Sequence, residues 1–261
     1  MNTILSTGHW IYIGLLGTAI IAYLTKQRYL RPIILLLSLV IAGFLQMACA
    51  SPSGSIQNLF YNWGEWKRMM PFAVTILIVL IPSFFLGKIF CGWVCHKGAI
   101  QEFLFQKRFS LKIPHKIDKT LRYVKYIVLA AIVIAPLMFH YRILNSSTQP
   151  FKVIFNLGGP LSAVILIGLI GLSSLFIYRP FCRYLCPVGA LLGLSSMVGI
   201  HRLKINDTGC SSCKRCEKSC DIGAISSNKT IRDNELTTTL NNSECIMCGE
   251  CSDVCSKDCI S

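Results

Sequence analysis

Cys210-Ser-Ser-Cys213-Lys-Arg-Cys216-Glu-Lys-Ser-Cys220 and Cys245-Ile-Met-Cys248-Gly-Glu-Cys251-Ser-Asp-Val-Cys255 are the two stretches on which the C-terminal fold turns. Each offers three thiols spaced by two residues and a fourth after three more. Three thiolates so spaced wrap one iron–sulfur cubane while the fourth reaches the neighbouring one, so each run serves both sites. The pattern assigns Cys210, Cys213, Cys216 and Cys255 to one 4Fe-4S cluster, and Cys245, Cys248, Cys251 and Cys220 to the other. The residue after each fourth cysteine, commonly proline, is Asp221 and Ser256, and Cys259 stands near enough to Cys255 to be an alternative ligand. Zinc would need only four ligands per ion, without a third and fourth cysteine at these spacings twice over.

Working outward, residues 201–261 are expected to be a small α+β ferredoxin domain with two clusters. The alternating Leu236 to Leu240 and a turn at Ser227-Asn228 predict a short hairpin between the runs. A core of about 50 residues would be held mainly by its clusters.

Residues 1–200 differ in kind. Hydrophobic residues make up 53% of the chain, whose mean hydropathy is +0.55, more than a water-soluble core requires. The apolar excess gathers in segments near 3–25, 32–49, 71–90, 121–140 and 158–178, none holding an acidic residue. The expectation is a mainly α-helical integral membrane protein with five transmembrane helices, the first retained and not cleaved as a signal. Gly189 to Ile200 is too short to cross and suits an interfacial or re-entrant helix, as does Gly98 to Arg108.

Net charge is +14, and its distribution sets the orientation. Taking alternate connections together, 22 Lys and Arg fall on one side and four (Lys67, Arg68, Arg142, Lys152) on the other. The basic side is cytoplasmic. The reading is thus a multi-pass protein of a bacterial-type cytoplasmic membrane, N-terminus outside and ferredoxin domain in the cytoplasm. In that reducing compartment structural disulfides are rare. The lipid bilayer accounts for the basic excess, so no nucleic acid is called for.

The membrane half is internally duplicated. Phe90-Cys91-Gly-Trp-Val-Cys95-His-Lys-Gly98-Ala99 aligns with Phe181-Cys182-Arg-Tyr-Leu-Cys186-Pro-Val-Gly189-Ala190 at a constant offset of 91 residues. Both copies follow proline-led apolar spans that end on the basic side. Cys91, Cys95, Cys182 and Cys186 can therefore converge on a third site, where an iron–sulfur cluster, redox-active thiols and a transient metal site all stay open. Cys49, alone, is read as packing.

Taken together, the twin Cys-x-x-x-Cys elements followed by the two ferredoxin runs resemble the NapH/NosR type of membrane ferredoxin, known from periplasmic nitrate and nitrous oxide reduction systems. The match spans about Pro71 to Cys255. The resemblance implies quinol-linked electron transfer to or from a partner at the outer face. The chain departs from it at His96, where the family has proline, as Pro187 does in the second copy. The covalent-flavin signature of some relatives is absent.

No Gly-rich phosphate loop, nucleophile with its base or acid pair is found, so no substrate site is assigned. The function expected is a membrane-anchored iron–sulfur subunit relaying electrons between a quinone or cytoplasmic donor pool and a partner flavoprotein, cytochrome or reductase. The alternative is a metal-reducing (copper) assembly protein or a redox regulator. A hydrocarbon core of about 30 Å separates inner-face clusters from an outer partner. A quinone is the simplest bridge; a haem on His9 and His140 is the other. Trp10, Trp63 and Trp66 are read as interfacial anchors.

Overall fold

The computed structural model describes residues 7–45, 51–111, 113–144, 150–156, 158–200, 203–206, 210–211, 213–229, 236–257 and 259–260. Cys49 lies outside them. In chain order the first elements are α1 (Thr7–Leu24), α2 (Arg31–Ser38), which runs on as a π-helical segment (Leu39–Leu45), and α3 (Pro52–Tyr61). Helix α1 buries one face, Tyr12, Leu15, Leu16, Ala19 and Ala22, at helical spacing, and leaves Ile13 and Ile21 exposed on the other.

Two copies of one unit then follow. The first is α4 (Trp66–Leu86), α5 (Ile89–Trp93) and α6 (His96–Leu104). After α7 (His115–Phe139) and α8 (Pro150–Asn156), the second is α9 (Leu161–Phe176), α10 (Pro180–Tyr184) and α11 (Pro187–Val198). Helices α5 and α10 begin 91 residues apart, as do α6 and α11. In each unit a left-handed residue breaks the chain before the short helix: Gly87 at φ 68° and Arg179 at φ 49°.

Each of the five expected spans contains a helix, but the helices differ in reach. Arg28–Leu45, Trp66–Leu86 and Ile117–Phe139 are, among the described residues, the three segments long and apolar enough to cross a membrane. Gly8–Leu24 and Leu161–Phe176 are apolar but shorter, with 16 to 17 residues, or about 25 Å of helix against a core of about 30 Å. The outer faces of α1, α4, α7 and α9 expose Ile21, Leu77, Ile81, Ile127, Ile134, Ile165 and Leu169, side chains that only lipid would shield without cost. Trp10 is exposed near the start of α1, and Trp63 and Trp66 where α3 connects to α4, as interfacial anchors would be.

Helix α3 was not expected. Its buried residues include Ser53, Ser55 and Gln57, and Gln57 exchanges two hydrogen bonds with the Leu144 backbone, donating at 3.0 Å and accepting at 2.6 Å. The stretches read as interfacial are helices α6 and α11, but both bury residues against their neighbours: His96, Gly98, Ala99 and Gln101 in α6, Gly189, Ala190 and Leu192 in α11.

The C-terminal module holds α12 (Arg215–Ser219), β1 (Ile225–Lys229), β2 (Leu236–Leu240) and α13 (Glu250–Asp253). The strands pair antiparallel, Ile225 opposite Leu240 and Ser227 opposite Thr238. The hairpin is as expected, but its turn is not: Ser227 and Asn228 lie within β1, and the connection falls outside the described residues.

Acid meets base where the module sits on the membrane half. Lys125 Nζ lies 2.6 Å from Glu244 Oε1 with both side chains buried, and Lys107 lies 3.0 Å from Asp221. Arg31 is 3.6 Å from Glu250, and Arg28 pairs with Asp253. Arg122 donates to the carbonyls of Ile222 (2.9 Å) and Gly223 (3.0 Å), and Trp93 Nε1 to that of Met247 (3.0 Å). Gly92 is required at this seam, because a Cβ there would run into the Ile246 carbonyl oxygen.

Candidate metal centres

Three cavities hold the cysteines. The outermost is lined by Cys210, Cys213, Cys216, Cys255 and Cys259. The next is lined by Cys220, Cys245, Cys248 and Cys251. The innermost is lined by Cys91, Cys95, Cys182 and Cys186. The second and third share two walls, Ile222 and Ile246. Each fourth cysteine of a ferredoxin run thus lies with the first three of the other run, the crossed arrangement that the spacing anticipates.

Among the described residues no three His, Cys, Asp or Glu side chains converge on a point as ligands of a single ion do. The thiols are instead spread around each cavity, which suits a polynuclear group taking one thiolate at each iron. Cys259 shares the outermost cavity with Cys255, and its carbonyl accepts from Asn206 N at 2.8 Å beside the Ile205–Ile260 bridge. Both thiols therefore remain near that centre.

The duplicated unit builds the innermost cavity. Cys95 and Cys186 sit at the N-caps of α6 and α11, where helix dipoles favour a thiolate. Gly189 N donates to Cys186 Sγ at 3.5 Å. Gln101, buried, donates to Cys182 Sγ at 3.3 Å and to Lys97 O at 2.9 Å, while its Oε1 accepts from Phe181 N at 2.9 Å. Its one amide thereby ties the two copies together.

Charge completes the design. Lys88, Lys97, Arg179 and Arg183 all line this cavity. Lys88 and Arg179 are buried and stand 91 residues apart, so they are the same position of the repeat. Lys97 Nζ donates to Ser51 Oγ (2.9 Å) and Ser53 Oγ (2.7 Å), which brings the start of α3 to the cavity rim. Glu244 is the acid on this wall, and it is held by Lys125. Such surroundings favour anionic contents.

The thiols respond unequally. Burial pushes Cys91 up to about 12 and raises Cys186. A hydrogen bond from Cys182 draws Cys95 down to about 6 and holds Cys182 up. Metal binding requires all four to lose their protons, which the cationic wall assists. Nearby, burial raises Glu102, but Arg179 and Arg31 outweigh it and leave its carboxyl below the usual range. Glu102 is the shared counter-charge of both guanidiniums.

The histidines divide. His96 is buried on the wall of the innermost cavity, its Nδ1 3.5 Å from Tyr12 Oη and its Nε2 without a hydrogen-bond partner. His9 Nε2 is 2.9 Å from Thr75 Oγ1 and 3.2 Å from Pro71 O. His140 ends α7 in the left-handed region, edge-on to Tyr61. Sequence reasoning missed Lys88, Lys97, Gln101, Arg179 and Ser53; the first and fourth were open to discovery by extending the repeat alignment two residues upstream.

Comparison with known proteins bears on all three cavities. A family model described as a 4Fe-4S binding domain matches twice, at residues 68–114 and 159–206, so its two matches also begin 91 residues apart. A model described as a 4Fe-4S dicluster domain matches residues 209–260. An uncharacterized protein of Methanocaldococcus jannaschii is 30% identical over 90% of this chain and 95% of its own length. The ferredoxin-type protein NapH of Haemophilus influenzae is 26% identical over 73% of this chain and 68% of its own. The regulatory protein NosR of Pseudomonas aeruginosa is 30% identical over 56% of this chain and 22% of its own. No solved structure matches. Fold, sites and relatives define a membrane protein for iron–sulfur electron transfer. The chain belongs to the family of NapH/NosR-type membrane polyferredoxins.

Proposed function

We propose that this chain is a relay: residues 1–200 anchor three redox centres to the membrane, residues 201–261 carry two of them, and electrons pass between a quinone pool and a partner redox protein. One observation carries the reading, the succession of three cysteine-lined cavities from the repeat to the exposed edge of the module, the inner two sharing Ile222 and Ile246.

In this reading Cys210, Cys213, Cys216 and Cys255 hold one 4Fe-4S cluster, and Cys245, Cys248, Cys251 and Cys220 the second. Cys91, Cys95, Cys182 and Cys186 hold a third. Bound clusters of this kind take up and release single electrons without a change of ligands. The chain's own residues position and insulate them. Ile222 and Ile246 keep water from the seam between the inner two sites, Gln101 fixes the Cys182 sulfur, and Lys88 and Arg179 offset the negative charge that four thiolates bring.

The reading takes five spans with the N-terminus outside and the module in the cytoplasm, which the 22 of 26 basic residues on that side support. The two shorter helices then cross where the bilayer is thin or where their ends are continued by polar chain. A quinone is favoured over a haem as the outward link, because His9 already bonds Thr75 and His140 sits against Tyr61.

Turnover tests the reading. The full chain in lipid nanodiscs, given a quinol and a one-electron acceptor, should oxidise quinol steadily. Bleaching of the iron–sulfur absorbance without sustained quinol oxidation would mark a sensor and overturn the relay.

A further inference from the structure

The acids of the ferredoxin module are not spread evenly. Asp221, Glu244, Glu250 and Asp253 all pair with cations of the membrane half. On the segments that line the outermost cavity the signs reverse: Lys214, Arg215 and Lys257 line it, Lys204 and Lys218 stand next to or near its lining residues Ile205 and Cys216, all five are exposed, and Glu217, half-buried, is the acid among the described residues of those segments. Asp207, Asp233, Glu235 and Asp258 lie outside the described residues. Cys213, a ligand of the outermost site, is itself exposed, and Lys214, Arg215 and Lys257 line that same cavity. Among the described residues the module is therefore polar in charge, its acidic side paired with the membrane half and its basic side beside the centre whose Cys213 is exposed.

We propose that this basic rim is the docking surface for an acidic one-electron carrier protein, a small soluble ferredoxin or flavodoxin type with clustered carboxylates. The inference rests on the relay reading, since a centre that exchanges electrons must be approached where its ligand is exposed. Five cations from three segments of chain make a broad target, wider than a metabolite needs. Carboxylates opposite them would steer encounter and fix orientation with little apolar contact, so binding would be fast, weak and salt-dependent. Anionic lipid is the less fitting occupant, because the side of the module that sits on the membrane half is the acidic one.

The test uses the full chain in nanodiscs of neutral lipid and a small acidic bacterial ferredoxin as probe, with binding measured by biolayer interferometry. The affinity should fall about tenfold or more from low to physiological ionic strength. Replacing Lys214→Glu, Lys218→Glu and Lys257→Glu together should weaken it by about tenfold at low salt and create binding to a basic carrier such as cytochrome c. Lys→Gln at the same positions guards against misfolding and should show an intermediate loss. Equal binding by all forms, or no salt dependence, would overturn the proposal, as would substitutions that abolish binding to anionic vesicles but not to the ferredoxin. Iron content is read in parallel: a wild type without iron would sink the relay reading, whereas normal iron without binding would sink only the docking surface.

Discussion

Glu102 stands between two buried guanidiniums, and its removal shows what a single carboxylate does here. Glu102→Gln would leave Arg31 and Arg179 without their shared counter-charge, at a cost of about 3–5 kcal/mol, measurable as a fall in Tm in detergent. The pH dependence has a definite sign. Because the carboxyl is held below its usual range in the folded protein, its contribution is complete above the ordinary carboxylate pKa of 4.5 and is lost as pH falls through the depressed folded value. Wild-type stability should therefore drop on acidification by more than that of Glu102→Gln. Gly92 supplies a steric counterpart. Gly92→Ala would drive a methyl group into the Ile246 carbonyl and cost about 1–3 kcal/mol at the seam, read as faster hydrogen exchange at Ile246 and Met247.

At the scale of elements, the short helices α5 and α10 matter more than the long spans. Each turns the chain so that its cysteines face the shared cavity, and α5 also grips the module through Trp93. Trp93→Phe keeps an aromatic ring but a smaller one and loses the buried hydrogen bond to Met247 O, so the module should be held at least about 1–3 kcal/mol more weakly, with the loss visible as easier proteolytic release of the tail. These elements were legible as a repeat of cysteines, since a duplicated motif survives in sequence whatever surrounds it. Helix α3 was not, because Ser53, Ser55 and Gln57 break the apolar pattern, and they are buried with Ser53 bonded to Lys97, Gln57 to the Leu144 backbone and Ser55 to the Ser51 carbonyl one turn back. The turn placed at Ser227-Asn228 failed for a related reason: turn-forming residues were recruited into β1 by pairing with Thr237 and Thr238. Lys88 and Arg179 were passed over because lone cations at span ends look like orientation signals, and only their burial beside four thiols gives them a second role.

Across the whole molecule, cysteine-lined cavities lead from the membrane half to an exposed cationic rim, and the acid–base seam holds the two halves in line. The two halves should nonetheless fail separately. Stripping iron with a chelator under reducing, mildly denaturing conditions should unfold the module, whose core is small, while most helical circular dichroism from the membrane half persists. The crossed grouping of the ferredoxin cysteines around two cavities was readable from their spacing. The reach of α9, Leu161–Phe176 against the expected 158–178, was not, since hydropathy marks an apolar segment but not where its helix starts and stops. The central claim, that the repeat holds a redox centre of its own, is tested by counting iron and acid-labile sulfide on anaerobically purified full chain, with electron paramagnetic resonance during stepwise reduction. About twelve irons per chain and three reducible signals are expected, falling to about eight irons and two signals when Cys91 and Cys182 are both replaced by serine. About eight irons in the wild type, unchanged by that double substitution, would contradict it.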